Sequence, residues 1–282
     1  MVRSTLLIFI CLINSIVYGQ FRAVYIPEDK LPDMKTDGDT SDWGWVPKRY
    51  IITEKSMYNV DHLSNKGWSC QIKTGWSDLN NKLYVIAKIT DDRLIIDNPT
   101  FFYNDIMQFA VNTANTGGRY GGKDIRTKYV IKSRFLFNSD KKRALVVATG
   151  PKWITGHGKK YIDWSIQNSR NKKGEFITIY EMCLSLWDKW DEAGPEFSTP
   201  CELHSQKRIR LCLAFDDSDL HNNTRNAEWV TPGGIYWYNN VDHLSEFILD
   251  APVQRGVSWQ HIDGVLRPVA GDRWQNGLLL VK

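Results

Sequence analysis

The chain has 282 residues, 42% of them hydrophobic and 24% charged, with 20 glycines and 10 prolines. This excludes a disordered or collagen-like polymer and leaves enough chain to bury a core as one large domain or two small ones. The formal charge of +4 comes from 36 basic against 32 acidic residues with the signs interspersed, which excludes the concentrated basic face of a nucleic-acid-binding protein.

Residues 1–19 read as a secretory signal. Arg3 supplies the charged region, Leu6 to Leu12 the apolar region, and Val17-Tyr18-Gly19 the cleavage context. The apolar run, roughly 15 residues, is short for a membrane span. Cys11 lacks the small neighbours of a lipoprotein site. The mature chain is therefore expected to start near Gln20, to be secreted or periplasmic, and to have no membrane association after cleavage.

Residues 20–250 read as one domain. β-rich segments recur between polar turns at Lys82–Ile89, Ile106–Val111, Tyr129–Phe137, Ala144–Ala148, Phe176–Leu186, Ile209–Phe215 and Glu246–Leu249. The best short helix is Leu186–Ala193, where apolar residues fall at helical spacing. Strands without intervening helices predict an all-β fold, a two-sheet antiparallel β-sandwich of jelly-roll or immunoglobulin-like type. Asn115–Asp124 and Gly156–Lys160 read as flexible glycine-containing loops without the spacing of a phosphate-binding loop. Residues 251–282 are a C-terminal extension, too short for a second sandwich. Asn222-Asn223-Thr224 is a glycosylation sequon.

With Cys11 removed, Cys70, Cys183, Cys201 and Cys212 remain, which permits three disulfide connectivities in an oxidising compartment or four buried thiols. Scattered histidines and the lack of a Cys-x-x-Cys pair argue against structural zinc. Asp216, Asp217 and Asp219 place three carboxylates within four residues, and Asp91 with Asp92 adds a pair. Such groups repel one another unless a hard cation such as calcium, a basic neighbour such as Arg225, or water compensates. For catalysis, Glu181 with one of Asp216, Asp217 or Asp219 could form a glycosidase pair if separated by about 5–10 Å. No Gly-x-Ser-x-Gly or His-Glu-x-x-His motif is present.

The order of several short motifs carries a family resemblance. Asp37-Gly38 with Asp42-Trp43, then Gly75-Trp76-Ser77-Asp78 with Leu83-Tyr84-Val85 and Thr90-Asp91-Asp92, open the succession. Asn98-Pro99 leading to Asn104–Phe109, Tyr180-Glu181-Met182 running into Leu186-Trp187, and Ala214–Asp219 with Arg225 and Trp229 complete it. Over about residues 35–250 this resembles family 9 carbohydrate-binding modules. Gln108 stands where the family has Glu, Ser185 where it has Pro, and the stretch from Asn138 to Arg170 is longer than expected.

The resemblance implies a calcium-supported sandwich that binds a poly- or oligosaccharide and performs no chemistry. It places one side of an aromatic clamp at Phe102, within Phe101-Phe102-Tyr103, and the other at Trp237. The family's polar pair falls near Lys132 and Arg134, and cations there point to an acidic polysaccharide or uronate end. Trp237→Ala is then expected to weaken binding about ten-fold without unfolding the domain. Trp43, Trp76 and Trp187, at strand ends, are expected in or near the core. Two alternatives stay open: a polysaccharide lyase or glycosidase on the same scaffold, and a haem-binding relative using Met57, Met107 or Met182.

Overall fold

The computed structural model describes residues 20–61, 67–137, 142–219 and 224–252, with the backbone of 257–262 and 265–270. The signal expected at 1–19, Asn222 and Asn223 of the sequon, and residues 271–282 lie outside the described residues. In chain order the strands are β1 (Phe21–Tyr25), β2 (Ile52–Thr53), β3 (Tyr58–Asn59), β4 (Ser69–Ser77), β5 (Lys82–Asp91), β6 (Ile106–Asn112), β7 (Ile131–Phe137), β8 (Arg143–Thr149) and β9 (Ile162–Arg170). They continue as β10 (Phe176–Ser185), β11 (Trp187–Lys189), β12 (Thr199–Pro200), β13 (Arg208–Asp217), β14 (Ala227–Val230), β15 (Ser245–Leu249), β16 (Val257–Ile262) and β17 (Val265–Ala270).

Two layers form the sandwich. The first runs β8-β7-β6-β13-β15, with β14 on β13, and the second runs β4-β5-β10-β9. Pairing within each is antiparallel. The exception is β1, whose first half lies parallel to β15 and whose second half lies parallel to β4, so that one strand passes from sheet to sheet at a corner. Alternate residues of each strand fill the space between the layers. Met107, Phe109 and Val111 of β6 and Leu211, Leu213 and Phe215 of β13 meet Leu83, Val85 and Ala87 of β5 and Tyr180, Met182 and Leu184 of β10.

Each layer is also covered on part of its outer face. Tyr84, Ile86 and Cys183 of the second sheet pack under Met34, Trp43, Val46 and Tyr50 from the segment after β1, which explains why β5 reads as a nearly continuous apolar run. Glu181 fastens that segment: its carboxylate accepts the Gly38 N–H at 2.8 Å and the Trp43 indole N–H at 2.9 Å. Burial, with Asp37 and Asp42 nearby, raises its pKa to about 7 against those two donors. Glu181→Ala leaves both donors without an acceptor and is expected to lower the unfolding free energy by about 2 kcal/mol. Urea titration would show this, and an unchanged midpoint would mean the segment is held by packing alone.

Several expectations are corrected. Leu186–Ala193 is not a helix: Trp187–Lys189 is strand β11, pairing with β12, and Leu186, Trp187 and Trp190 all enter the core between the sheets. Their helical spacing reflects three separate burials. The glycine-rich loop 115–124 is pinned and not loose. Positive φ at Gly117 and Gly118 turns it so that Val241 N–H reaches Gly118 O and Tyr120 N–H reaches Asn239 O. Cys70, Cys183, Cys201 and Cys212 are buried free thiols. Cys183 and Cys212 lie on the outer faces of different sheets and Cys70 and Cys201 in the central core, so no disulfide ties the layers. Trp43, Trp76 and Trp187 are buried as expected. Among the described residues no helix is long and apolar enough to cross a membrane.

Candidate functional site

The outer face of the first sheet carries the residues singled out for sugar binding. Before β6, the turn Phe101–Tyr103 is held by Asn104, which accepts the Asn98 N–H at 2.8 Å and donates to the carbonyls of Asn98, Thr100 and Phe101. Phe102 is the exposed ring of the three, at 37% accessibility, and stands edge-on to Phe101 and Tyr103.

Trp237 is not the opposite jaw. It is 1% exposed and fills the outer face over Ala110, Cys212 and Ala214, whose small side chains make room for the indole. Its N–H donates to Glu228 Oε1 at 3.0 Å, and the Tyr120 hydroxyl donates to its carbonyl at 2.7 Å. The rings beside it in sequence face outward instead: Tyr236 is 50% and Tyr238 45% exposed. The clamp expected at Trp237 thus meets a buried indole, and the rings this segment exposes are Tyr236 and Tyr238.

Lys132 and Arg134 occupy the space between these aromatic ends. Both point outward from β7, two residues and so roughly 7 Å apart along the strand. Lys132 Nζ lies 4.9 Å from the Trp237 ring centre and 5.6 Å from that of Tyr238, and donates to the Tyr238 carbonyl at 3.3 Å. Burial, followed by the neighbouring Arg134 charge, lowers its pKa to about 8. The Arg134 guanidinium lies over Phe101, its carbon 3.9 Å from the ring centre. A cavity of about 320 Å³ lined in part by Pro99, Phe101, Ile106 and Leu136 adjoins this end.

Behind the cations lies a polar floor. Gln108, opposite Arg134 in the β6–β7 register, donates to Asp216 Oδ2 at 2.8 Å, and Arg225 donates to Asp216 Oδ1 at 2.8 Å. Arg225 also meets Glu228 at 3.1 Å and Asp61 at 3.1 Å. Burial and the Glu228 charge push the Asp216 carboxyl up, while Arg225 and Gln108 hold it down. Asp216 thus belongs to this network and not to a cation cluster, the outcome in which a basic neighbour compensates it.

A second carboxylate cluster forms from the other acids. Adjacent residues of a strand face opposite ways, so Asp217 turns from Asp216 toward the end of β5. Oxygens of Asp91, Asp217 and Asp219 lie within 4.8 Å of one another. Asp92 adds negative charge at the rim without joining that group. Both Asp217 oxygens are buried without a hydrogen-bond donor, as is Asp219 Oδ1. Burial, then repulsion from Asp91 and Asp219, raises Asp217 to about 8, and burial raises Asp91 to about 7. Orphaned carboxylate oxygens converging on one point suit a hard divalent cation.

The catalytic and haem alternatives meet the same geometry. Glu181 and Asp216 stand on the outer faces of opposite sheets and cannot flank one glycosidic bond. Met57, Met107 and Met182 pack in the core between the sheets. Tyr236, Tyr238 and Glu228 went unremarked in the sequence; the Tyr-Trp-Tyr alternation was the available signal.

No protein-family model matches the chain, and no curated protein does. Among solved structures it is similar to a family 9 carbohydrate-binding module from Caldicellulosiruptor kristjanssonii in complex with cellotriose, at 13% identity and a TM-score of 0.57, covering 85% of this chain and 98% of that one. A family 9 module from the same organism in complex with glucose gives 12% identity, a TM-score of 0.57, and coverage of 84% and 98%. The β-sandwich built by this sequence is the fold of family 9 carbohydrate-binding modules.

Proposed function

We propose that the outer face of the first sheet binds a poly- or oligosaccharide, without catalysis, and that the protein works outside the cytoplasm after loss of residues 1–19. One observation carries the reading: exposed rings of Phe102 and Tyr238 flank Lys132 and Arg134 above a fixed polar floor. Sugar sites pair aromatic faces, which take the C–H side of a pyranose, with a few rigid polar groups that take the hydroxyls. The glucose and cellotriose bound by the modules of like fold agree with this chemistry.

Tyr238→Ala is expected to weaken binding about ten-fold, since one aromatic face contributes on the order of 1–2 kcal/mol. Because Tyr238 is half exposed, the melting temperature should barely move. A glycan array with wild type and variant tests both points. A wild type that binds no glycan, or that releases reducing or unsaturated ends from polysaccharides, would overturn the reading.

Calcium is the second element of the proposal. Asp91, Asp217 and Asp219 would hold the ion, which would neutralise their repulsion and tie the β13 loop to the end of β5. The cluster lies apart from the aromatic face, so the ion would support the scaffold.

A further inference from the structure

We propose that the ligand of this face is an anionic sugar, a hexuronate whose carboxylate lies across Arg134 and Lys132. This rests on the carbohydrate reading above and narrows its substrate class.

Among the described residues Arg134 is half-buried yet has no carboxylate within ion-pair distance, and its Nε is buried without an acceptor. Asp216 is the acid whose charge reaches it, and both Asp216 oxygens are already occupied, one by Arg225 and one by Gln108. Glu228 is likewise shared between Arg225 and the Trp237 indole. Lys132 has a single hydrogen bond, to the neutral carbonyl of Tyr238. Two cations thus project from the same face of β7, one register step apart and repelling each other; Glu228 and Asp216 attract Lys132 from the floor beneath, but neither forms an ion pair with it.

Elsewhere in the fold Arg126 pairs with Asp124 and Arg208 with Glu246, while Arg170 and Arg210 donate to backbone carbonyls; Arg134 has neither kind of partner among the described residues. This cation pair, without a direct ion pair among the described residues, coincides with the exposed aromatics. A ligand that supplies the missing negative charge relieves the repulsion, a gain that a neutral sugar does not give.

Geometry selects a carboxylate among anions. The guanidinium carbon is held 3.9 Å over the Phe101 ring, and a guanidinium offers parallel N–H donors in one plane, the match for a planar carboxylate. Lys132 then supplies a point charge to the same group. With the carboxylate so placed, the attached ring comes to lie between Phe102 and Tyr238, whose exposed faces suit its C–H side.

The test compares charge at constant shape. Calorimetric titration of the intact protein at low ionic strength uses galacturonate and glucuronate oligosaccharides, their methyl esters, cellotriose, and a carrageenan oligosaccharide that is sulfated but lacks uronate. At least one acid should bind about ten-fold or more tightly than its ester. Raising the salt concentration should narrow that ratio, and Arg134→Gln or Lys132→Met should bring it close to one. Equal affinity for acid and ester, a ratio unmoved by both substitutions, or carrageenan bound as tightly as the uronate would overturn the proposal. If cellotriose or the ester binds and the acid shows no advantage, the uronate assignment fails and the sugar-binding reading stands. If no glycan of the panel binds, both fail.

Discussion

Trp237→Ala is expected to lower the unfolding free energy by about 3–5 kcal/mol, the range for truncating a large aromatic in a core. The indole is 1% exposed and caps the small residues Ala110, Cys212 and Ala214, which cannot close the space it leaves. Loss of the indole N–H also removes a donor from Glu228, a buried acid whose other partner, Arg225, is shared with Asp216 and Asp61. Trp237→Phe should cost less, about 1–2 kcal/mol, because it keeps most of the volume and loses the donor. Urea unfolding of the three proteins measures the series. Sugar binding should weaken in Trp237→Ala as well, since Lys132 packs on the indole and the Tyr238 loop is anchored through it. An alanine variant as stable as wild type that had lost only its sugar affinity would show that the indole face is free in solution, as the clamp read from the sequence requires.

The difference between the two readings of Trp237 shows what a sequence carries and what it does not. The β-rich pattern along Ile106–Val111 or Ile209–Phe215 is local, and it located the strands to within a residue or two. Aromatics next to the polar Asn98-Pro99 turn are also a local signal, and Phe102 is exposed as that signal implied. Which ring of Tyr236-Trp237-Tyr238 turns inward is decided by Ala110 and Cys212, more than 100 and more than 20 positions away, and by Gly117-Gly118 closing over the loop.

The carboxylates follow the same rule. Asp216 and Asp217 are indistinguishable as composition, yet the two-residue period of β13 sends one to Arg225 and the other to Asp91. The strand at Phe176–Ser185 was readable, and that would have sufficed to separate Glu181 from Asp216, had the sheet to which each strand belongs been known. Leu186–Ala193 failed because buried positions at helical spacing also arise when a strand end, a turn and a tryptophan each enter one core.

Calcium added to chelator-treated protein at neutral pH is expected to raise the melting temperature by about 5–10 °C, the effect of a ligand present at about 100 times its dissociation constant on a domain of this size. The sign follows from Asp217, a buried carboxylate with no donor on either oxygen and two acids beside it. Ionised, it strains the folded state; with a cation bound, the same charge becomes a ligand. Asp217→Asn therefore carries the decisive prediction, because it should act in opposite directions with and without the ion. In chelator the variant should melt higher than wild type, since Asp217, with its pKa raised to about 8, must take up a proton to fold at neutral pH and an amide of the same shape need not. In calcium it should melt lower, since the site has lost a charged oxygen. Asp216→Asn separates this from a general loss of acidity: it removes the charge of one of Arg225's three acids and should destabilise the protein in either condition while leaving the calcium response intact. Melting curves of the three proteins in chelator and in calcium decide the matter. If wild type melts at one temperature in both and retains no calcium, the cluster holds protons in place of a metal ion, and Asp217→Asn should then raise the melting temperature equally in both.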